Sequence, residues 1–200
     1  MGTEYVHYSF VDWRMKMVEI IKSFKQNLEA QRFIGKKYDN ANRLNGTFEV
    51  KTNWDEWFKN GWFEAIKTQV RKNPNNTRED GDVCVALNRN KSGEPFQYWI
   101  GMFTPANTEV PNGFDYVDFP KSEIGVCRVY GKAEKIYMNE DISIMDKCND
   151  KLKEEGMNHV HDEIHVCWAF ERYPCSRFPT SDEEGNGILD CCFFMKFEKS

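Results

Sequence analysis

Val166-Cys167-Trp168-Ala169-Phe170-Glu171-Arg172-Tyr173 is a short, mostly apolar run with the composition of a β-strand. One carboxylate, Glu171, lies inside it. Burying a charge without a partner is costly. Glu171 therefore faces solvent, pairs with a cation such as Arg172 or Lys196, or lines a pocket. The run has a near copy earlier in the chain. Val83-Cys84-Val85-Ala86-Leu87-Asn88-Arg89 matches Val166 to Arg172 at Val, Cys, Ala and Arg, and it puts Asn88 where the later copy has Glu171.

Outward from these two runs the chain reads as two similar strings. Residues 28–38 predict a strand containing Gly35, and a glycine inside a strand marks a bulge or a close backbone approach. Asn53 and Glu56 form a helix-cap signature. Trp54, Phe58, Trp62, Ala65 and Ile66 follow at helical spacing to about Arg71, with Trp57 beside the stripe. After a polar loop over residues 72–82 come strands at 83–89 and 96–104. The string then restarts with an extended segment at 115–120 and a strand at 123–130. A helix follows at 139–155, with the stripe Ile142, Met145, Cys148 and Leu152, and Gly156 is placed to end it. Strands at 166–173 and 188–197 close the chain.

Each half thus reads strand–helix–strand–strand, opened by Ile34-Gly35 in the first and Ile124-Gly125 in the second. The expectation is an α+β fold of duplicated βαββ units, residues 28–104 and 113–198, related by a pseudo-twofold axis. The cleft at the join is a favoured kind of ligand site. Residues 9–24 read as an amphipathic helix, with Ser9 and Asp12 as a cap and Phe10, Trp13, Met17, Ile20, Ile21 and Phe24 on one face. That makes residues 1–26 an N-terminal helical extension ahead of a domain spanning 27–200.

A chain of 200 residues with 40% hydrophobic and 14% aromatic content can build one substantial core. The net charge of −5 and the lack of a dense Lys/Arg run argue against direct nucleic-acid binding. No apolar stretch is long enough for a membrane helix, and the first residues lack the basic and apolar regions of an export signal. The seven cysteines are odd in number, form no CxxC pair and mostly lie in apolar runs, as expected of buried free thiols in a reducing cytoplasm. His159, His161, His165 and Cys167 would share one face of a strand but spread too far along it to converge on a metal. Serine-nucleophile motifs, phosphate-binding glycine loops and nucleotide-binding signatures are absent, so neither metal nor cofactor is expected.

Val110-Pro111-Asn112-Gly113-Phe114, Phe119-Pro120 and the run from Ile124 to Gly131 resemble the central signature of GyrI-like proteins. Phe170-Glu171-Arg172-Tyr173-Pro174 resembles that family's "ERY.P" strand, and Ile188-Leu189-Asp190 with the apolar run after it resembles its last strand. The resemblance spans about residues 28–198. It departs from the family at Cys191-Cys192, where an aromatic residue is common. It also departs at residues 1–26, which have no counterpart in the bare domain and are too few for a helix-turn-helix.

The resemblance implies the GyrI-like small-molecule-binding domain, also found as the effector-binding part of AraC-type and multidrug-sensing regulators. Its ligands are flat, hydrophobic and often cationic. The family's pocket carboxylate maps by motif onto Glu171. Of the aromatics on expected strands, Tyr38, Tyr98, Trp99, Phe103, Tyr130, Trp168 and Tyr173, some would line the cleft, and all but Tyr98 are the candidates. Aromatic faces would add about 0.5–2 kcal/mol of cation–π attraction. Two alternatives accompany this reading. Some GyrI-like proteins hydrolyse cyclopropane-containing electrophiles with a Glu and a Tyr, which would give Glu171 the water and Tyr130 or Tyr173 an assisting role. Others are protein-interaction modules such as gyrase modulators.

Overall fold

The computed structural model describes residues 18–39, 43–44, 47–48, 50–72, 83–137, 143–160, 165, 167–174 and 182–197. In chain order the strands are β1 (Glu19–Leu28), β2 (Gln31–Asp39), β3 (Arg43–Leu44), β4 (Thr47–Phe48), β5 (Val83–Arg89), β6 (Gln97–Pro105), β7 (Asp115–Phe119), β8 (Ser122–Lys132), β9 (Met157–His159), β10 (Trp168–Pro174) and β11 (Asn186–Phe197). The helices are α1 (Val50–Lys59), α2 (Trp62–Arg71), α3 (Ala133–Tyr137) and α4 (Ser143–Glu154). The protein is an α+β fold dominated by one nine-stranded antiparallel sheet in the order β1-β8-β11-β10-β5-β6-β2-β7, with β9 paired to β11. The short strands β3 and β4 form a separate ladder.

Inward from each side, the sheet meets β8, β11, β10 and then β2, β6, β5. Each trio runs first, third, second in its own chain order. The two copies of the Val-Cys-x-Ala run therefore lie side by side at the centre, with Phe170 opposite Leu87. β1 lies beside β8 and β7 beside β2, so each outermost strand pairs away from the strand that follows it in sequence.

Alternation along the strands divides the core in two. One face carries Ile34, Ala86, Ile100, Cys127, Cys191 and Phe193, and it is covered by Trp54 and Trp57 of α1, Phe63 and Ile66 of α2, and Cys148 and Leu152 of α4. The other face carries Phe33, Leu87, Trp99, Phe170 and Phe194 and curls on itself. Phe119, on edge strand β7, stacks on Phe194 of β11 with ring centroids 4.9 Å apart, although β11 is third from the opposite edge. Phe103 of β6 meets Phe170 of β10 at 4.9 Å. Burying such large side chains stabilises by about 1.5–3 kcal/mol each. Gly35 pairs with Gly101 under the Phe33 ring, and a Cβ on Gly101 would lie 2.2 Å from the Ile34 carbonyl oxygen. This is the close approach that a glycine in a strand signals.

Several expectations need correction. Residues 19–24 are strand, not helix: Ile20 packs towards the helix-covered core while Ile21 is half exposed, and hydrogen bonding to β8 satisfies the backbone. The remaining residues of that expected helix, 9–17, lie outside the described residues, and the boundary between 26 and 27 falls inside β1. The helix expected over 53–71 is two helices, because Gly61 takes a left-handed φ of 64° between them. That break swings the stripe, so Trp57 is fully buried and Phe58 is 48% exposed. The short helix α3 had no expectation attached to it. Ile34 and Ile124 lie on opposite faces of the sheet, so the two Ile-Gly pairs are not equivalent. Cys84 is disulfide-bonded, while Cys127, Cys148, Cys167, Cys191 and Cys192 are free. The cysteines therefore do not argue for a reducing compartment.

Candidate functional site

β10 and β5 are the two central strands. Glu171 stands on β10 opposite Ala86 of β5 and Cys191 of β11. Alternation turns it to the helix-covered face with Ala169 and Tyr173, opposite the small side chain of Ala86. It is 1% exposed, which rules out the solvent-facing alternative. Arg172 points the other way, where its guanidinium bonds Gln26 at 2.8 Å and Asp190 at 3.3 Å.

The carboxylate sits in an aromatic setting. The Tyr173 hydroxyl donates to it. Trp54 of α1 crosses Tyr173 edge-on, with centroids 4.9 Å apart and planes at 62°. The Trp54 indole N–H donates to the Tyr98 hydroxyl oxygen at 2.9 Å. One strand further out, Tyr38 lies opposite Tyr98 and accepts from the Trp57 indole at 2.9 Å. Burial, and then the negative charge of Glu171, push the Tyr98 and Tyr173 hydroxyls well above the usual tyrosine range. Burial also raises Tyr38. These hydroxyls stay protonated at neutral pH and remain donors. Together the groups bring a carboxyl, fixed hydroxyls and indole rings to one place, a combination that suits an aromatic cation when the carboxyl is ionised.

Of the residues named from sequence, Glu171, Tyr173 and Tyr38 share this face. Trp168, Trp99 and Phe103 do not. They belong to the curled face, where Trp99 and Trp168 meet edge-on at 6.2 Å and Phe103 packs on Phe33 and Phe170. Tyr130, on β8, also alternates to that side, and its hydroxyl donates to Asp182 at 2.8 Å and accepts from Asn186 at 2.9 Å. It cannot assist Glu171. Sequence reasoning named Tyr98 among the strand aromatics without selecting it for the site, and placed Trp54 only in the core. Counting by twos from Glu171 and carrying the register across β5 to β6 would have found Tyr98.

An open depression of about 550 Å³ lies elsewhere, lined by Asn27, Pro120, Lys121, Ser122, Glu123, Val160, His165 and Lys196. His165 packs against Phe119 and Phe194, on the curled side, and its Nε2 lies 2.7 Å from the Ser122 hydroxyl. His159 instead meets Asn149 at 2.8 Å, so these two histidines do not converge; His161 lies outside the described residues. Among the described residues no group of three His, Cys, Asp or Glu side chains is placed to hold a metal ion, and no helix is long and apolar enough to cross a membrane.

No protein-family model matches the chain, and no curated protein matches it at a significant level. Solved structures do. A putative bacterial transcription regulation protein from Staphylococcus aureus MU50 aligns at a TM-score of 0.54 and 13% identity, over 88% of this chain and 98% of that one. SAV2435 bound to tetraphenylphosphonium aligns at 0.57 and 14%, over 88% and 94%. EcmrR, from a complex with DNA, aligns at 0.52 and 10%, over 93% of this chain and 60% of that one. The chain has the fold of these solved structures, in keeping with the resemblance of its motifs to GyrI-like proteins.

Proposed function

We propose that this protein binds small, flat, hydrophobic cations through Glu171, as a sensor, a sequestering protein or a drug-tolerance factor. The observation that carries the reading is a buried carboxyl on the central strand, hydrogen-bonded by Tyr173, whose ring Trp54 crosses while bonding Tyr98. Removing a carboxylate from water costs several kcal/mol, and a cationic ligand offsets that cost where a neutral one does not. The ring of an incoming ligand competes for the face that Trp54 presents to Tyr173. The tetraphenylphosphonium bound to SAV2435, which has the same fold, supports a hydrophobic aromatic cation as ligand, although that cation is tetrahedral rather than flat.

We further propose that the binding domain extends from β1 to the end of the chain, and that it arose from duplicated βαββ units with the ligand site where they meet. The mirrored strand order and the paired Val-Cys-x-Ala runs support the duplication. The mismatched Ile-Gly pairs do not. A hydrolase acting on strained electrophiles is the second reading, favoured by the Tyr173–Glu171 hydrogen bond. In that case Glu171 directs water and Tyr173 assists.

Trp54 supplies the test. Adding tetraphenylphosphonium to the wild type should change tryptophan emission saturably, and Trp54→Phe should remove most of the signal while keeping binding measurable by dialysis. An absence of saturable binding by either method refutes the reading. Turnover of a cyclopropane electrophile that is lost in Glu171→Gln would move the conclusion to the hydrolase.

A further inference from the structure

Lys36 stands on β2 and alternates to the same sheet face as Glu171, and its ammonium is already held as a cation would be. The Nζ lies 4.4 Å from the Trp62 ring centroid and 4.6 Å from that of Phe114, and it donates to the Gly113 carbonyl oxygen at 2.6 Å. Trp57 crosses both rings edge-on, with centroids at 5.5 Å from Trp62 and 5.8 Å from Phe114. Two rings and a carbonyl thus make a box that holds the protein's own ammonium, and Trp57 buttresses both rings.

The register fixes where this box lies. Lys36 pairs with Ile100, Ile100 with Ala86, and Ala86 with Glu171. The four residues form one row across four adjacent strands. Three strand spacings separate the charged ends by roughly 14 Å along the sheet. One end of the row is the Glu171 carboxylate and the other is a cation between two rings. Tyr38 neighbours Lys36 on the same face and accepts from Trp57.

We propose that Trp62, Phe114 and the Gly113 carbonyl, braced by Trp57, are a second cation subsite, occupied in the free protein by Lys36, and that Lys36 thereby selects monocations over extended dications. The inference rests on the Glu171 reading. A ligand with one cationic head places it at Glu171 and leaves the box undisturbed. A ligand with two heads must drive Lys36 out of the box, losing its cation–π contacts and its hydrogen bond.

The test uses tetraphenylphosphonium and decamethonium, whose two trimethylammonium groups lie about one row-length apart when extended. Each is titrated calorimetrically into wild type, Lys36→Met, and Lys36→Met with Phe114→Leu. Lys36→Met keeps the apolar stem and empties the box of charge. It should tighten decamethonium by roughly tenfold, the worth of one cation–π contact, and leave tetraphenylphosphonium unchanged. Adding Phe114→Leu should cancel the gain. An unchanged decamethonium affinity in Lys36→Met, or an equal gain for both ligands, overturns the subsite while leaving Glu171 as the primary site. Failure of the wild type to bind either ligand overturns both.

Discussion

The hydroxyl of Tyr173 donates to the carboxylate of Glu171, two positions back on the same strand and the same face. Strand alternation alone brings the two together, and burial of both residues makes the bond strong and its loss costly. Tyr173→Phe removes the donor without changing the ring that Trp54 packs on. Urea unfolding should show a loss of about 1–3 kcal/mol, and a much smaller loss when Glu171 is already Gln. Equal losses in both backgrounds would mean that the tyrosine serves packing alone.

Alkaline stability follows from the same tyrosines. Tyr98 and Tyr173 are raised above the ordinary value of 10.0, first by burial and then by Glu171. Unfolded, each would lose its proton near that ordinary value; folded, each keeps it. The stability they contribute is fully present below pH 10 and is lost as pH rises above it towards the folded-state values. The decline should steepen by about 1.4 kcal/mol per pH unit for each tyrosine. Tyr98→Phe and Tyr173→Phe should each remove one such increment, measured by urea midpoints at pH 9, 10 and 11.

The central strands were legible in the sequence because their apolar runs are short, bounded by turns and too brief for helices. The Glu171 strand was legible because a carboxylate in such a run is conspicuous. The faces were harder. Trp168 and Tyr173 stand on one strand at an odd spacing, so one of them had to point away from Glu171. Trp99 and Phe103 share the wrong parity through pairings that join strands far apart in sequence. Tyr130 fails for the same reason and for its bond to Asp182. At the N-terminal end, Ile20, Ile21 and Phe24 suit a helical stripe as well as a strand. Pairing with β8, about a hundred residues away, decides between them.

Two glycines separate steric need from conformational need. Gly101→Ala would push a Cβ to 2.2 Å from the Ile34 carbonyl oxygen, inside the central ladder. It should cost more than about 3 kcal/mol or prevent folding. Gly156→Ala meets open space but keeps a φ of 80°, so about 1–2 kcal/mol is expected from backbone strain. Thermal melts of the two variants compare them directly, and a Gly101→Ala protein as stable as Gly156→Ala would contradict the close approach.

Asn88 lies diagonal to Glu171 across the β5–β10 pair, with Ala169 opposite Asn88 and Ala86 opposite Glu171. Asn88→Asp sets a second carboxylate on this face. Cation binding should strengthen by about 1 kcal/mol, and the unliganded protein should lose a similar amount of stability through like-charge repulsion. Paired binding and melting curves test both signs.

The central claim is that Glu171 recognises charge. Replacing it by Gln preserves shape and removes the charge. The decisive measurement titrates one aromatic cation and one neutral aromatic dye of similar size into wild type and Glu171→Gln. The cation should weaken by about 1–3 kcal/mol, the value of a hydrogen bond to a charged group, while the neutral dye changes little. Equal losses for both would show that Glu171 supports structure and does not recognise charge.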